Sequence, residues 1–303
     1  MKKKIIVLLK GGLGNQLFTY ASARAIALRN DAELVLDSVS GFKNDTLYGR
    51  TFALDDFNVS GRLASYLERK EPFGRARRSL SRRLSAHKPL SSRHFIQQVG
   101  VDFDPDLLCL KLQERATYFD GFGQSELYFD DVQDVIFNDF SMRCRYAIDD
   151  IELSKKIAKN KSSVGIHYRW FDDKNGSSNI SLDYYTKAIN KVALTVKSPT
   201  FYVFSDNQLR TKEKIRPLLK RYNYVFIEND LSTNKASRDF WLMRQCSHFI
   251  IGNSTFAWWA AWLGEYRDRS ATIVIAPALS IDPSISSTAW GFYGLLPERW
   301  LKV

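Results

Sequence analysis

The sequence predicts an α/β protein with two domains built on parallel sheets. Short apolar runs rich in Val, Ile and Phe alternate with helix-length amphipathic stretches from end to end, the pattern of βαβ units. The chain has 303 residues, 45% hydrophobic and 25% charged, enough for two ordinary cores. Polar clusters recur where the apolar runs end, and open α/β sheets place ligands at the carboxyl ends of their strands. A boundary around the amphipathic helix Ile148 to Lys159 gives domains of residues 1–150 and 151–303.

In chain order, the first strand is Ile5 to Leu9. It follows Lys2-Lys3-Lys4 and ends at Lys10, too short for a secretory core and with no small-residue cleavage site after it. A strand of a cytoplasmic protein is the expectation. Gly11-Gly12-Leu13-Gly14-Asn15-Gln16 follows, then an Ala-rich helical stretch over Leu17 to Arg29. Strand, glycine turn and helix bring backbone N–H groups to an anion. The dinucleotide fingerprint wants a third glycine where Leu17 stands, so the turn also reads as a plain tight connection. Asn15 and Gln16 add polar side chains at its mouth, and with Gly12 and Gly14 they are candidate ligand residues.

Glu33 to Asp37 reads as a second strand and residues 38–58 as loop. The segment 69–93 stands apart by charge: Arg69, Lys70, Arg75, Arg77, Arg78, Arg82, Arg83, Lys88 and Arg93 are opposed there only by Glu71. Arg75, Arg78 and Arg82 share one helical face, with Leu80 and Leu84 on another. Such a helix can rest on an anionic lipid surface or be simply solvated. Asp102-Phe103-Asp104 has the form of a metal-holding carboxylate pair, but Pro105 argues for a turn. Thr117 to Phe122 reads as strand plus turn.

The second half is organised around Ser163 to Tyr168, an apolar strand that delivers His167 and Arg169 to the top of a sheet. An Arg there offers a permanent cation and a planar fork of donors suited to phosphate. His167 can donate to a ribose or base, or shuttle a proton. Asp172 serves as a base or holds Arg169. The polar loop Lys174 to Ser181 is placed to cover a site. Tyr184 to Val196 reads as helix, Pro199 to Phe204 as strand ending in Ser205-Asp206. Asp206 caps the next helix or accepts from a guanine edge. Tyr224 to Glu228 reads as strand, Arg238 to Cys246 as helix, Phe249 to Ile251 as a short buried strand. Asn253, Ser254, Thr255 and Phe256 then open a helix, and capping residues there make an anion seat. Trp258 and Trp262, four apart, read as core packing. Ile273 to Ala276 is the last expected strand, followed by an aromatic tail.

Composition bounds the chemistry. Cys109, Cys144 and Cys246 are odd in number and widely spaced, so neither a metal site nor a disulfide framework is expected, and all three read as buried thiols. The four histidines are scattered, no apolar run approaches a membrane span, and no Walker lysine pattern is present. The net charge of +11 suits nucleic acid, an anionic membrane or a phosphorylated substrate. The aromatics lie mostly in apolar runs and no RNA-binding motif occurs, so nucleic acid is not expected. Four polar clusters at strand ends, with an Arg and an anion seat among them, point to a nucleotide diphosphate cleft between two α/β domains.

These clusters, in this order, resemble the α-1,2-fucosyltransferases of glycosyltransferase family 11. The family's Gly-Gly-Leu-Gly-Asn-Gln falls on Gly11 to Gln16, its His-x-Arg-Arg-x-Asp box on His167 to Asp172, and its Phe-Ser-Asp on Phe204 to Asp206. Its Asn-Ser-Thr-Phe-x-Trp-Trp-x-Ala-Trp-Leu falls on Asn253 to Leu263, and Gln124-Ser125-Glu126 also fits. One departure stands in the box: Trp170 replaces the second Arg and Phe171 the following small residue.

The resemblance implies a GT-B-like fold, two Rossmann-like domains with parallel sheets facing a central cleft. The C-terminal domain would hold GDP-fucose and the N-terminal one the acceptor. It implies inverting transfer of fucose from GDP-β-L-fucose to the 2-hydroxyl of a terminal galactose, in an O-antigen or similar oligosaccharide, lipid-linked or free, with no metal or other cofactor required. Arg169 would bind the pyrophosphate and stabilise the leaving GDP. Ser205 and Asp206 would read the guanine, with His167 near base or ribose. Asn253, Ser254, Thr255 and Phe256 would seat the phosphates or fucose. Gly12, Gly14, Asn15 and Gln16 would bind the donor, Gly14 and Asn15 by closing the cleft from the other domain, and Asp172 is the candidate base. Independently of the resemblance, the charge of segment 69–93 suits peripheral contact with an anionic membrane at the inner face of the cell, near a lipid-linked acceptor, with a solvated helix as the alternative.

Overall fold

The computed structural model describes residues 2–43, 45–46, 49–143, 147–171, 178–228, 235–281 and 289–303. The chain forms two compact units, one of Met1–Arg143 with Tyr293–Leu295 and one of Cys144–Phe292 with Leu296–Val303. Each is an α/β layer structure on a parallel sheet.

In the first unit the elements run β1 Lys4–Leu8, α1 Leu13–Arg29, β2 Glu33–Asp37, β3 Arg62–Leu63, α2 Gly74–Ser85, β4 Phe95–Gln97, α3 Pro105–Leu108, β5 Ala116–Asp120 and α4 Gln133–Asp139. The sheet order is β3-β2-β1-β5-β4, with Ile6 opposite both Val35 and Tyr118. β1 is apolar at successive positions because both faces of the strand are covered. The chain builds outward from β1 through β2 and β3, then returns to the other flank with β5. The order therefore reverses between β1 and β5.

The second unit runs α5 Ile148–Lys159, β6 Ser163–Tyr168, α6 Leu182–Thr195, β7 Thr200–Ser205, α7 Gln208–Leu219, β8 Asn223–Phe226, α8 Lys235–Met243, β9 His248–Ile250, α9 Thr255–Tyr266, β10 Val274–Ala276 and β11 Leu301–Lys302. Its sheet order is β11-β10-β9-β6-β7-β8, all parallel. β6 is buried at every residue and pairs β7 with His167 opposite Phe204. Here the reversal falls between β6 and β9. That is the topological switch point, where helices diverge to opposite faces and leave a crevice above the strand ends.

α9 anchors this crevice from below. Trp258, Trp259 and Trp262 are fully buried, and the Trp258 and Trp262 rings lie near-parallel with centroids 6.4 Å apart. Trp300 packs on Trp258 at 5.3 Å. The far end of the helix is tied by Glu265, which accepts from Arg299 Nη2 at 2.9 Å and Trp300 Nε1 at 3.0 Å.

Several expectations are corrected. α1 starts at Leu13, so Gly14 lies in its first turn rather than in a loop. The glycines masked the helix start, because Gly12 caps by backbone alone. β3, β4 and β11 are edge strands of two or three residues, too short to show a period. Cys246 is buried as expected, but Cys109 is exposed, and Cys144 lies outside the described residues. Asp104 caps α3 by accepting from Asp106 N, and Asp102 accepts from Tyr293 N, so the Asp-x-Asp carboxylates serve the backbone. No described helix is long and apolar enough to cross a membrane.

Candidate active site

The three strands at the centre of the second sheet deliver the predicted residues to one edge. His167 is the last residue but one of β6, Arg169 follows the strand, Ser205 ends β7, Asp206 follows it, and Asn253 and Ser254 lead from β9 into α9, which Thr255 and Phe256 open. Gly252 allows the close approach. A Cβ there would stand 2.8 Å from Tyr185 Oη and 3.3 Å from the His167 carbonyl oxygen. Tyr185 Oη in turn donates to that carbonyl at 3.0 Å, fixing the end of β6.

Arg169 is held by Asp206. Asp206 Oδ2 accepts from Arg169 Nη1, and Oδ1 accepts from the Trp170 backbone N–H at 3.1 Å. The guanidinium lies over the Phe171 ring at 5.3 Å. Helix capping, one of the two roles open to Asp206, belongs instead to Asn207, which accepts from Arg210 N. Asp172 and Asp173, and 174–177 of the covering loop, lie outside the described residues. Trp170 has its own seat: its ring rests on Tyr168 at 5.0 Å, its Nε1–H donates to Thr211 Oγ1 at 2.7 Å, and Arg210 lies over it at 5.3 Å. Ser205 is used locally, its Oγ bonded to Thr211 Oγ1 and accepting from Asn207 N.

The neighbouring strand, β9, leads into the start of α9. Ser254 is the N-cap of α9, with no side-chain cap bond. The N–H groups of the first turn therefore end a twelve-residue helix at its positive pole. Two buried polar atoms at the switch point have no hydrogen bond among the described residues: His167 Nδ1 and Asn253 Oδ1. Buried polar groups are satisfied in nine cases of about ten or more, so two orphans at neighbouring strand ends make this crevice the candidate site. Asn253 itself is fixed by donating from Nδ2 to Ser178 O at 2.7 Å. His167 packs on Phe256 at 5.3 Å, and Phe256 packs on Phe240 at 5.4 Å.

Sequence reasoning missed Lys235. It begins α8 and donates from Nζ to Ser205 O at 3.3 Å, adding a second cation near His167. It stands in a polar stretch without motif, and only the fold brings it to the strand ends.

In the first unit the glycine turn follows β1 at the reversal. Gly11 adopts φ +75°, open to glycine at little cost, and a Cβ there would stand 2.8 Å from Asn15 Nδ2. Asn15 Oδ1 accepts from Gln124 Nε2 at 2.9 Å, joining the two motifs that flank β1 and β5. Gln16 is buried and fully engaged: Nε2 donates to Gly11 O and Thr51 O, and Oε1 accepts from Ala53 N. Its amide staples the turn to the following loop. Gly12 caps α1 next to the Arg50 guanidinium, and Gly14 is buried in that helix.

Residues 4–288 match the profile of "Glycosyl transferase family 11". The chain belongs to that family. As a family 11 glycosyltransferase it is 28% identical to an α-1,2-colitosyltransferase of Escherichia coli, over 99% of this chain and 98% of the relative. It is 29% identical to the O-antigen biosynthesis glycosyltransferase WbnK of Escherichia coli, over 89% and 92%. Its fold is shared with the α-1,6-fucosyltransferase NodZ of Bradyrhizobium, solved after soaking with GDP-fucose, at a TM-score of 0.54 and 17% identity, covering 86% of this chain and 93% of that one. The GT-B-like architecture of two parallel-sheet units is thereby confirmed. Among the described residues no cluster of three or more His, Cys, Asp and Glu could hold a metal ion.

The family's histidine is neutral in this glycosyltransferase. Burial pushes its pKa down to about 3, helped by the nearby Arg169 and Lys235 charges. A neutral ring donates and accepts at physiological pH but takes up no proton. The unfolded ring titrates near 6.5, so below that pH the unfolded chain binds a proton the folded chain refuses until about 3. Stability from this residue is present above 6.5 and falls with pH through the window, by about 1.4 kcal/mol per unit. His167→Asn removes that slope. Urea unfolding at about pH 7 and about pH 5 should show the wild type losing ~2 kcal/mol more than the variant. Equal losses would mean the ring is solvated.

Proposed function

We propose that this enzyme transfers L-fucose, with inversion, from GDP-β-L-fucose to the 2-hydroxyl of a terminal galactose in an O-antigen or similar oligosaccharide, without a metal ion. The carrying observation is Arg169, pinned by Asp206 after β6, the strand that pairs with β9 at the switch point, from which α9 starts. Breaking the anomeric bond builds negative charge on the β-phosphate. Asp206 engages one of the guanidinium's five N–H donors in the described geometry, leaving others for phosphate oxygens. The first-turn N–H groups and the Ser254 and Thr255 hydroxyls complete the seat, and neither charge source must reorganise as the bond breaks. The buried, orphaned atoms of His167 and Asn253 hold the donor's ribose, phosphate or sugar hydroxyls. Phe256 shields the sugar from water, and Asp172 is the candidate base for the acceptor hydroxyl. The second unit is the donor side and the first the acceptor side.

One observation favours a second donor. The relative aligned over nearly the whole chain carries colitose, which is fucose without its 3-hydroxyl. A site that hydrogen-bonds that hydroxyl rejects the deoxy sugar by about 10⁴-fold, whereas an apolar pocket discriminates only about 10²-fold. Turnover of GDP-fucose and GDP-colitose with a panel of β-galactosides, in EDTA, separates the two readings. GDP-fucose is expected to be the faster substrate. Release of GDP from GDP-colitose alone would transfer the assignment, and release from neither, with or without Mn²⁺, would refute a GDP donor.

A further inference from the structure

We propose that the first unit docks on an anionic lipid surface through the outward face of α2 and the turn before it. α2 is fastened by polar contacts rather than by its leucines. Arg78 donates to Ser40 Oγ and Arg69 O, Lys70 donates to Ser81 Oγ, and Ser85 Oγ accepts from Phe95 N. The buried residues of the helix are Gly74 and Ser85. Its apolar side chains are left outside, with Leu80 57% and Leu84 66% exposed.

Leu80 and Leu84 lie four apart, about a third of a turn around the helix from those two anchors. At 100° per residue, Arg77 falls on one flank of the pair and Arg83 on the other. Both arginines are exposed. Phe73 precedes the helix, 76% exposed and held at φ 65°, a conformation that a bulky residue rarely adopts and that packing here does not reward. Leu67 is equally exposed in the preceding turn. No Asp or Glu occurs between Pro72 and Val101. The neighbouring carboxylates are engaged: Glu68 pairs with Lys4 and Arg62, and Glu71 pairs with Lys43.

The charge complements an acidic surface, and the apolar groups decide which one. A nucleic acid would satisfy the arginines but leave Leu67, Phe73, Leu80 and Leu84 in water. A bilayer interface takes both, burying the leucines and Phe73 at the acyl boundary while Arg77 and Arg83 extend to headgroup phosphates. Docking of this kind brings the enzyme to acceptors carried on lipid.

The test is sedimentation of the full chain with phosphatidylcholine vesicles, with and without phosphatidylglycerol, in the absence of sugar nucleotide. Failure there leaves the donor reading untouched. Binding is expected only with phosphatidylglycerol, and is expected to weaken as salt shortens the screening length from about 10 Å to about 3 Å. Arg77→Gln and Arg83→Gln should each lower the partition coefficient about fivefold, and Leu80→Asp with Leu84→Asp should abolish binding. All four positions are exposed, so circular dichroism and turnover on a soluble acceptor should stay unchanged. Equal binding to neutral vesicles, no binding, or substitutions without effect would overturn the proposal. So would tight, salt-sensitive binding to RNA that survives the leucine substitutions.

Discussion

Arg169→Ala is expected to lower kcat by a factor on the order of 10²–10³ with the fold intact. The side chain is about a quarter exposed just after β6, and its removal opens no cavity in the core. The loss comes from the transition state. Charge accumulates on the departing phosphate only as the anomeric bond breaks, so a donor aimed there contributes more to the transition state than to the ground state. The KM for the sugar nucleotide should rise far less than kcat falls. Arg169→Lys should recover little, because one ammonium cannot both pair with Asp206 and present a planar fork. Asp206→Asn should fall between: the guanidinium keeps its charge but loses the carboxylate that orients it, and the Trp170 N–H keeps an acceptor. Steady-state kinetics of the three variants decide this. A kcat within a few-fold of wild type in Arg169→Ala would remove the residue from the chemistry.

Trp258→Ala is expected to be the most damaging substitution to stability, at about 3–5 kcal/mol. The indole is wholly buried and touches the rings of Trp259, Trp262 and Trp300. Its loss leaves a void that those rings, held on α9 and by the Glu265 contacts, fill only in part. The second unit's melting transition should drop by about 10 °C in calorimetry, for a domain of this size. A functional consequence follows from chain connection. Ser254, Thr255 and Phe256 open the same helix, so a loosened α9 misplaces the anion seat, and donor affinity should weaken at temperatures where the variant is still folded. Trp258→Phe, which keeps a ring in the site, should lose much less of both. A drop of only a few tenths of a kcal/mol in Trp258→Ala would mean the helix is held by other contacts.

What could be read from the sequence follows physical lines. β6 was legible to the residue, because the short apolar run Val164 to Ile166 is followed by polar residues where a buried strand reaches the edge of its sheet. The helix start at Ser254 was legible because capping types are local signals. Pairings across the sheet were not. Asp206 meets Arg169 only because β7 lies beside β6, and the sequence left open both a different partner for Arg169 and a capping role for Asp206. Lys235 reaches Ser205 by the same kind of adjacency. β11 escaped notice because two exposed residues, Leu301 and Lys302, carry no period and gain their hydrogen bonds from β10 alone. Exposure of Leu80 and Leu84 was likewise invisible: an amphipathic pattern says that two faces differ, not which one the fold covers.

The most direct test of the reading is the linkage of the product formed from GDP-fucose and a β-galactoside in EDTA, assigned by NMR. An α-linked fucose on the galactose 2-hydroxyl is expected, establishing donor, inversion and regiochemistry in one spectrum. Fucose on another hydroxyl, a β-linkage, or turnover restored only by a divalent cation would contradict it.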